Sequence, residues 1–159
     1  SNFSVEENFS CVVSLFHVFS YLTSQDKVYG FFKCANKHSN TGSSLFFDYY
    51  NYDGLMNDKP TKRKKVVENN DIFVERTSVP NLDMKKNILN IDFDIKLTEK
   101  IEGKTYSFNE SHTMRFFSQN EIEKIACDNG YELVCHKKWL KDGLPDKNDW
   151  YACSLFKKI

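Results

Sequence analysis

Glycine is scarce in this chain and never clustered. Its six glycines lie apart along 159 residues, so there is no glycine-rich loop of the kind that cradles a phosphate or a dinucleotide. Cys11, Cys34, Cys127, Cys135 and Cys153 are odd in number, widely spaced and never arranged as Cys-x-x-Cys, which suits neither a metal centre nor a disulfide framework. They read as buried free thiols of a reducing compartment. Net charge is lacking too: 22 Lys+Arg stand against 22 Asp+Glu, leaving no global field to attract nucleic acid or anionic lipid. No apolar run reaches the ~18 residues of a membrane span, and the polar, acidic start SNFSVEEN is not a signal peptide. These absences argue against a metal site, a nucleic-acid partner and a membrane, and for a cytoplasmic location.

What is present is aromatic and apolar. Hydrophobic residues make up 40% of the chain and aromatics 15%, with 14 Phe and 8 Tyr, enough for the core of one domain built on a sheet. Phe9–Leu15 is a nearly unbroken apolar run and reads as a buried central parallel strand. It leads directly into a turn bearing His17, Ser20 and Tyr21. Val28, Phe31, Phe32 and Ala35 then recur at helical spacing, so 25–38 reads as an amphipathic helix capped by Ser24 or Asp26. Ser44–Asp48 is a second short apolar strand that ends in a carboxylate. Strand, helix and strand with short connections form a βαβ unit.

Residues 49–65 read as a loop, with Asp53-Gly54 and Lys59-Pro60 as turn signals and the basic run Lys62–Lys65 solvated within it. Beyond it the period changes. Asp71–Thr77, Ile88–Leu97 and Tyr106–Arg115 alternate apolar and polar residues, as half-buried antiparallel strands do, with Glu102-Gly103-Lys104 as the turn between the last two. Ser118 to Glu121 is a capping box before a helix, which Asn129-Gly130 stops. Tyr131–Trp139 and Trp150–Phe156 read as two closing strands. The expected fold is α/β: one domain over 1–159, with an antiparallel β insertion at about 66–117.

Chemistry belongs at the carboxyl ends of parallel strands, where open α/β sheets bind ligands. That rule selects His17, a base with a pKa near working pH, and Tyr21 beside it. It also selects Asp48, with Tyr49, Tyr50 and Tyr52 as candidate pocket walls. His112 shares a strand face with Glu110 and Met114, while Arg115 lies on the other face and suits an ion pair with Glu110 or Glu121. His38 and His136 have no such context and read as surface residues.

The segments SCVVSLFHVFSYL, NTGSSLFFDYYNYDG, ESHTMRFFSQNEIEKIACDNGYEL and NDWYACSLFKK, in that order and spacing, resemble the second half of a class I S-adenosylmethionine-dependent methyltransferase. The likeness is to the small-molecule kind, sugar N-methyltransferases included. The resemblance implies a partial Rossmann-like sheet with a reversed last strand. It implies S-adenosylmethionine as cofactor, with Ser14, Leu15 and Phe16 on its binding side, and His17, Tyr21 and His112 as catalytic candidates. Asp48, Tyr50 and Arg115 become candidates for holding a small polar acceptor, a sugar among them, that is methylated on N or O. The family's acidic-x-Gly-x-Gly-x-Gly turn and its ribose-binding carboxylate are not in this sequence. The expectation is therefore a C-terminal portion of a methyltransferase that needs upstream residues to act. The alternative is a non-catalytic remnant or subunit that pairs with a complete partner as a homo- or hetero-oligomer.

Overall fold

The protein is described by a computed structural model over residues 5–159. It divides into two compact units, one made of the chain up to Lys59 together with Met114–Ile159, the other of Pro60–Thr113.

The first unit starts with strand β1 (Phe9–Ser14), helix α1 (Gln25–Lys37) and strand β2 (Ser39–Asn51). β1 and β2 are parallel, with Val13 opposite Phe46 and Ser14 opposite Phe47, which is the expected βαβ unit. Ser24 starts α1 by accepting the Lys27 N–H at 3.4 Å, satisfying one of the donors a helix start leaves open. After the short helix α2 (Tyr52–Asn57), the unit resumes near the end of strand β6 (Thr105–Phe117) and continues through helix α3 (Gln119–Asp128) and strands β7 (Tyr131–Lys138) and β8 (Tyr151–Lys158). The last strand is reversed: β8 runs antiparallel to β2 and to β7 and lies between them. β7 therefore runs parallel to β2. This is an α/β sheet with a reversed final strand, as expected.

The alternation of β2 gives it two faces. Leu45, Phe47 and Tyr49 join one core with Val28, Phe32 and Ala35 of α1, Ile122, Ile125 and Ala126 of α3, and Phe117, Ala152 and Phe156. Phe47 stacks on Phe19 with centroids 4.3 Å apart, and nearly parallel on Phe156 at 5.8 Å. Each fully buried Phe contributes ~1.5–3 kcal/mol. Phe46, Asp48 and Tyr50 point the other way, opposite Leu155, Cys153 and Tyr151 of β8.

The second unit holds β3 (Arg63–Glu68), β4 (Ile72–Asp83), β5 (Ile88–Glu99) and the first part of β6, in that spatial order. β3–β4 and β4–β5 pair antiparallel. No helix lies in this unit among the described residues.

Several expectations are corrected. β1 is not a buried central strand: it pairs with β2 alone among the described residues, and Phe9 and Val13 are 41% and 51% exposed. An apolar run reports hydrophobicity, not what covers it. Asp48 does not end its strand, because β2 continues to Asn51. Residues 49–65 are a loop only over 58–62, around Lys59-Pro60: the rest is the end of β2, helix α2 and the start of β3, so Asp53-Gly54 is helical and the basic run continues into a strand. Only Cys153 is buried, with Cys11 and Cys127 exposed and all five thiols free. Ser118 accepts the Glu121 N–H at 3.2 Å, but the Glu121 carboxylate bonds Arg115 rather than closing the box.

His38 and His136 are buried rather than on the surface. His38 follows α1, with Nδ1 2.8 Å from the Cys34 carbonyl. His136 Nδ1 lies 2.7 Å from Ser154 Oγ, which donates to the Tyr49 hydroxyl at 3.3 Å. Burial pushes the His136 pKa down, opposed by Glu123, and pushes the Tyr49 phenol well above its ordinary value.

Two outcomes test this packing. A Cβ on Gly54 would meet the Asp149 carbonyl oxygen at 2.0 Å, whereas one on Gly30, inside α1, meets nothing within 4 Å. Gly54→Ala is expected to cost ~1–3 kcal/mol and Gly30→Ala to gain up to ~1 kcal/mol, read from urea midpoints. A histidine whose folded pKa is depressed takes up its proton preferentially when unfolded. His136 therefore costs stability as pH falls below its unfolded value of about 6.5. The thermal midpoint of His136→Gln should fall less than that of the parent between about pH 7 and about pH 5.

Candidate functional site

The site is assembled at the carboxyl end of β1. Two consecutive residues there adopt left-handed backbone, Phe16 at φ 61° and His17 at φ 62°, at ~1–3 kcal/mol each for side chains other than glycine. The turn then tightens into a 3₁₀ segment, Val18–Tyr21. Phe19 enters the core, and Ser20 Oγ accepts the Tyr50 N–H at 3.0 Å.

Asp48 explains the conformation. Its side chain is fully buried, and a buried carboxylate requires compensation. The His17 backbone N–H donates to Asp48 Oδ2 at 2.8 Å, and His17 Nδ1 meets the same oxygen. One carboxylate thereby holds both the backbone and the ring of one residue. Only the left-handed turn brings both to it.

Aromatic rings complete the enclosure. His17 stacks parallel on Tyr151, with centroids 3.9 Å apart, and meets Tyr50 at 5.5 Å and Trp139 at 5.8 Å edge-on. Phe16 meets Trp139 edge-on at 6.5 Å. A fifth of the His17 side chain remains exposed. Burial raises the Tyr50 pKa far beyond its usual value, helped by Tyr151 and, more weakly, Tyr21, so Tyr50 stays a neutral phenol and cannot serve as a base. The loop bearing Trp139 is fastened to the end of β2: Asn51 Nδ2 donates to the carbonyls of Asp146 and Asp149 at 3.2 and 2.9 Å. Lys138 Nζ reaches both Asp146 and Asp149 carboxylates, at 2.9 and 3.0 Å.

Of the residues singled out in the sequence, His17 contacts both Asp48 and Tyr50, and Tyr21, 43% exposed, is close enough to act on Tyr50. Ser14 closes β1, and Leu15 and Phe16 follow it, 38% and 78% exposed. Arg115 is engaged elsewhere: it pairs with Glu121, reaches Gln25 Oε1 at 3.3 Å and covers the Phe117 ring at 4.9 Å. His112 belongs to the second unit, where its ring meets Phe93 at 5.3 Å and its Nε2 lies 3.5 Å from Glu110. Tyr151 and Trp139 were not foreseen. Tyr151 reaches the site because the reversed β8 sets it directly opposite Tyr50, a pairing between residues far apart in sequence. The only local hint was their aromatic character.

An S-adenosylmethionine site is implied by the family resemblance, and the residues present fit one wall of it. Leu15 and Phe16 offer exposed apolar surface at a strand end. The nearby Asp48 carboxylate is already committed to the amide and ring of His17, and no glycine lies between Phe9 and Leu22 to allow a close backbone approach.

Comparison with solved structures agrees with the fold. An S-adenosylmethionine-dependent methyltransferase from Clostridium acetobutylicum superposes with a TM-score of 0.80 at 14% identity, covering 99% of this chain and 61% of its own. An amino pentose methyltransferase from Micromonospora echinaspora, involved in calicheamicin biosynthesis, gives 0.75 at 13%, covering 99% and 61%. A sugar N-methyltransferase from a Streptoalloteichus species gives 0.74 at 14%, covering 96% and 58%. The chain therefore has the fold of part of these methyltransferases and spans about three fifths of their length. No family model and no curated protein matches the sequence.

Removing the Asp48 carboxylate should release the turn. Asp48→Ala is expected to cost ~1–3 kcal/mol by leaving the His17 amide without its acceptor and to strip hydrogen-exchange protection from that amide. Asp48→Asn keeps an acceptor for that amide and should cost less.

Proposed function

We propose that this chain forms the acceptor side of an S-adenosylmethionine-dependent methyltransferase, and that His17 is its general base. The observation that carries the reading is the His17–Asp48 pair at the carboxyl end of β1, in a sheet with the methyltransferase fold. The acceptor class follows from the neighbours, one an amino pentose methyltransferase and one a sugar N-methyltransferase. The proposed acceptor is a small polar molecule, an amino sugar first among candidates, methylated on nitrogen or oxygen.

When bound, the cofactor supplies a methyl group on a sulfonium already activated for displacement. The residues of this chain position the acceptor and manage its proton. Asp48 engages Nδ1 of His17 and so directs the other ring nitrogen, Nε2, to the acceptor. As the acceptor nitrogen or oxygen becomes methylated, its proton would pass to Nε2. Tyr151 and Trp139 fix the plane of the ring. Tyr21 and the neutral Tyr50 orient the acceptor by donating hydrogen bonds. Leu15 and Phe16, with Ser14, exclude water from the donor side. His112 is kept as a catalytic candidate and Arg115 as an acceptor contact, both of lower rank than His17 and Asp48.

A second reading, a non-catalytic chain that pairs with a complete methyltransferase, draws on the edge of β1, unpaired among the described residues, and its exposed Val13, since unpaired edges invite partners.

The test is methyl transfer from isotopically labelled S-adenosylmethionine to an amino sugar. It is run with the chain alone and with a polypeptide carrying the glycine-rich half of the fold, alongside calorimetry with S-adenosylhomocysteine. Transfer that falls ~10²–10⁴-fold in His17→Asn, with acceptor binding retained, supports the proposal. A parallel His112→Asn that leaves the rate unchanged removes His112. Association without transfer supports the second reading, and neither binding nor transfer in any combination defeats both.

A further inference from the structure

The loop between β7 and β8 holds an apolar residue where its backbone suits another kind. The Lys141 N–H donates to the Lys138 carbonyl at 3.5 Å, closing a turn whose third residue, Leu140, is left-handed at φ 55°. That position favours Gly or Asn, which reach it at little steric cost. The loop does use glycine elsewhere, at Gly143 with φ 99°, yet Leu stands at 140. Packing does not repay it, because Leu140 is 81% exposed. The Lys138 N–H donates to the Gly143 carbonyl at 3.1 Å, which returns Leu144, 74% exposed, to the foot of the loop. The next residue, Pro145, is buried and holds Leu144 in place. Phe16 repeats the pattern, left-handed at φ 61° and 78% exposed. Among the described residues, Ile101 is the only other large apolar one as exposed as these three. Backbone strain that presents apolar groups to water, with no packing in return, marks a binding surface.

We infer that this rim seats an apolar group carried by the acceptor: the acceptor is an amino sugar glycosidically linked to an apolar chain, not to a nucleoside diphosphate. The inference rests on the methyl-transfer reading for the reacting end of that molecule. Continuity identifies the occupant. Trp139 meets His17 at 5.8 Å and Phe16 at 6.5 Å, so the apolar rim adjoins the base directly. A sugar whose amine reaches His17 then lays its far substituent over Leu140 and Leu144. Charge argues against a nucleotide there. Diphosphates are held by arginine forks, lysines and backbone N–H groups at helix starts. Residues 138–150 carry Lys138, Lys141 and Lys147 against Asp142, Asp146 and Asp149, leaving no net charge. Lys138 is engaged by Asp146 and Asp149. Arg115, the single arginine of the first unit, is held by Glu121 and Gln25. A diphosphate would meet apolar side chains and a loop of no net charge, whereas an alkyl chain meets the surface it needs. Each methylene fully removed from water multiplies affinity roughly fourfold. An open rim covers one side of the chain, so several methylenes together give on the order of tenfold.

Calorimetry with the octyl and methyl glycosides of glucosamine tests it, below the micelle-forming concentration. It is run on the chain alone and on the chain combined with a polypeptide carrying the glycine-rich half of the fold. The octyl glycoside should bind about tenfold or more tightly than the methyl glycoside, and more tightly than a nucleoside diphosphate glucosamine. Leu140→Asn with Leu144→Asn should bring the two glycosides level. The urea midpoint of that double variant should hold or rise, because Asn suits the left-handed turn. Equal binding of the two glycosides by the parent, tighter binding of the nucleotide sugar, or an octyl preference that survives the double variant overturns the inference. So does binding of neither glycoside, or a urea midpoint that falls in the double variant and so makes the two leucines part of the packing. An octyl preference without methyl transfer keeps the apolar rim and removes only the reaction. Transfer to the methyl glycoside without an octyl preference keeps the reaction and removes the rim.

Discussion

A carboxylate with no exposure to water governs the candidate site. Asp48 sits within β2, flanked by residues of a packed sheet, where an unpaired charge costs several kcal/mol. The chain compensates it with one residue used twice, through the His17 amide and the His17 ring. That demand fixes the unusual backbone of Phe16 and His17, sets the ring flat on Tyr151, and turns Phe16 outward. The strain in the turn and the charge in the strand offset each other, and neither would persist alone.

The same strand serves two purposes because a strand has two faces. Leu45, Phe47 and Tyr49 anchor the aromatic core, while Asp48 and Tyr50 alternate with them toward the site. The turn after β1 straddles both: Phe19 stacks on Phe47 on the core side, and His17 pairs with Asp48 on the other. Ser20, between them, holds the Tyr50 amide. Packing of α1 and α3 against the core face is therefore what makes the site face rigid, as preorganised chemistry requires.

Much of this was legible in the residues. The periodicity of Val28, Phe32 and Ala35 revealed α1, Ser24 and Ser118 marked helix starts, and alternation from Ile72 onward revealed antiparallel strands. His17 and Asp48 were visible as polar groups at or near strand ends. Their pairing was not, because it rests on a left-handed turn at two residues that are not glycine. Coverage was equally hidden: the apolar run of β1 says nothing about whether a neighbour lies beside it, and His38 and His136 read as surface residues although hydrogen bonds to Cys34 and Ser154 accommodate them inside. Tyr151 and Trp139 come to the site through the reversed β8 and its loop, a long-range pairing that no local pattern encodes.

The loop between β7 and β8 is tied down at both ends and bare in the middle. Asn51 and Lys138 grip Asp146 and Asp149, and the absence of a side chain at Gly54 lets the backbone lie against Asp149. Leu140 and Leu144, by contrast, are 81% and 74% exposed. Sequence drift at the loop's crest can therefore reshape the rim beside Trp139 while its moorings keep the scaffold unchanged. The fold thus separates the residues that must be kept from those free to diversify.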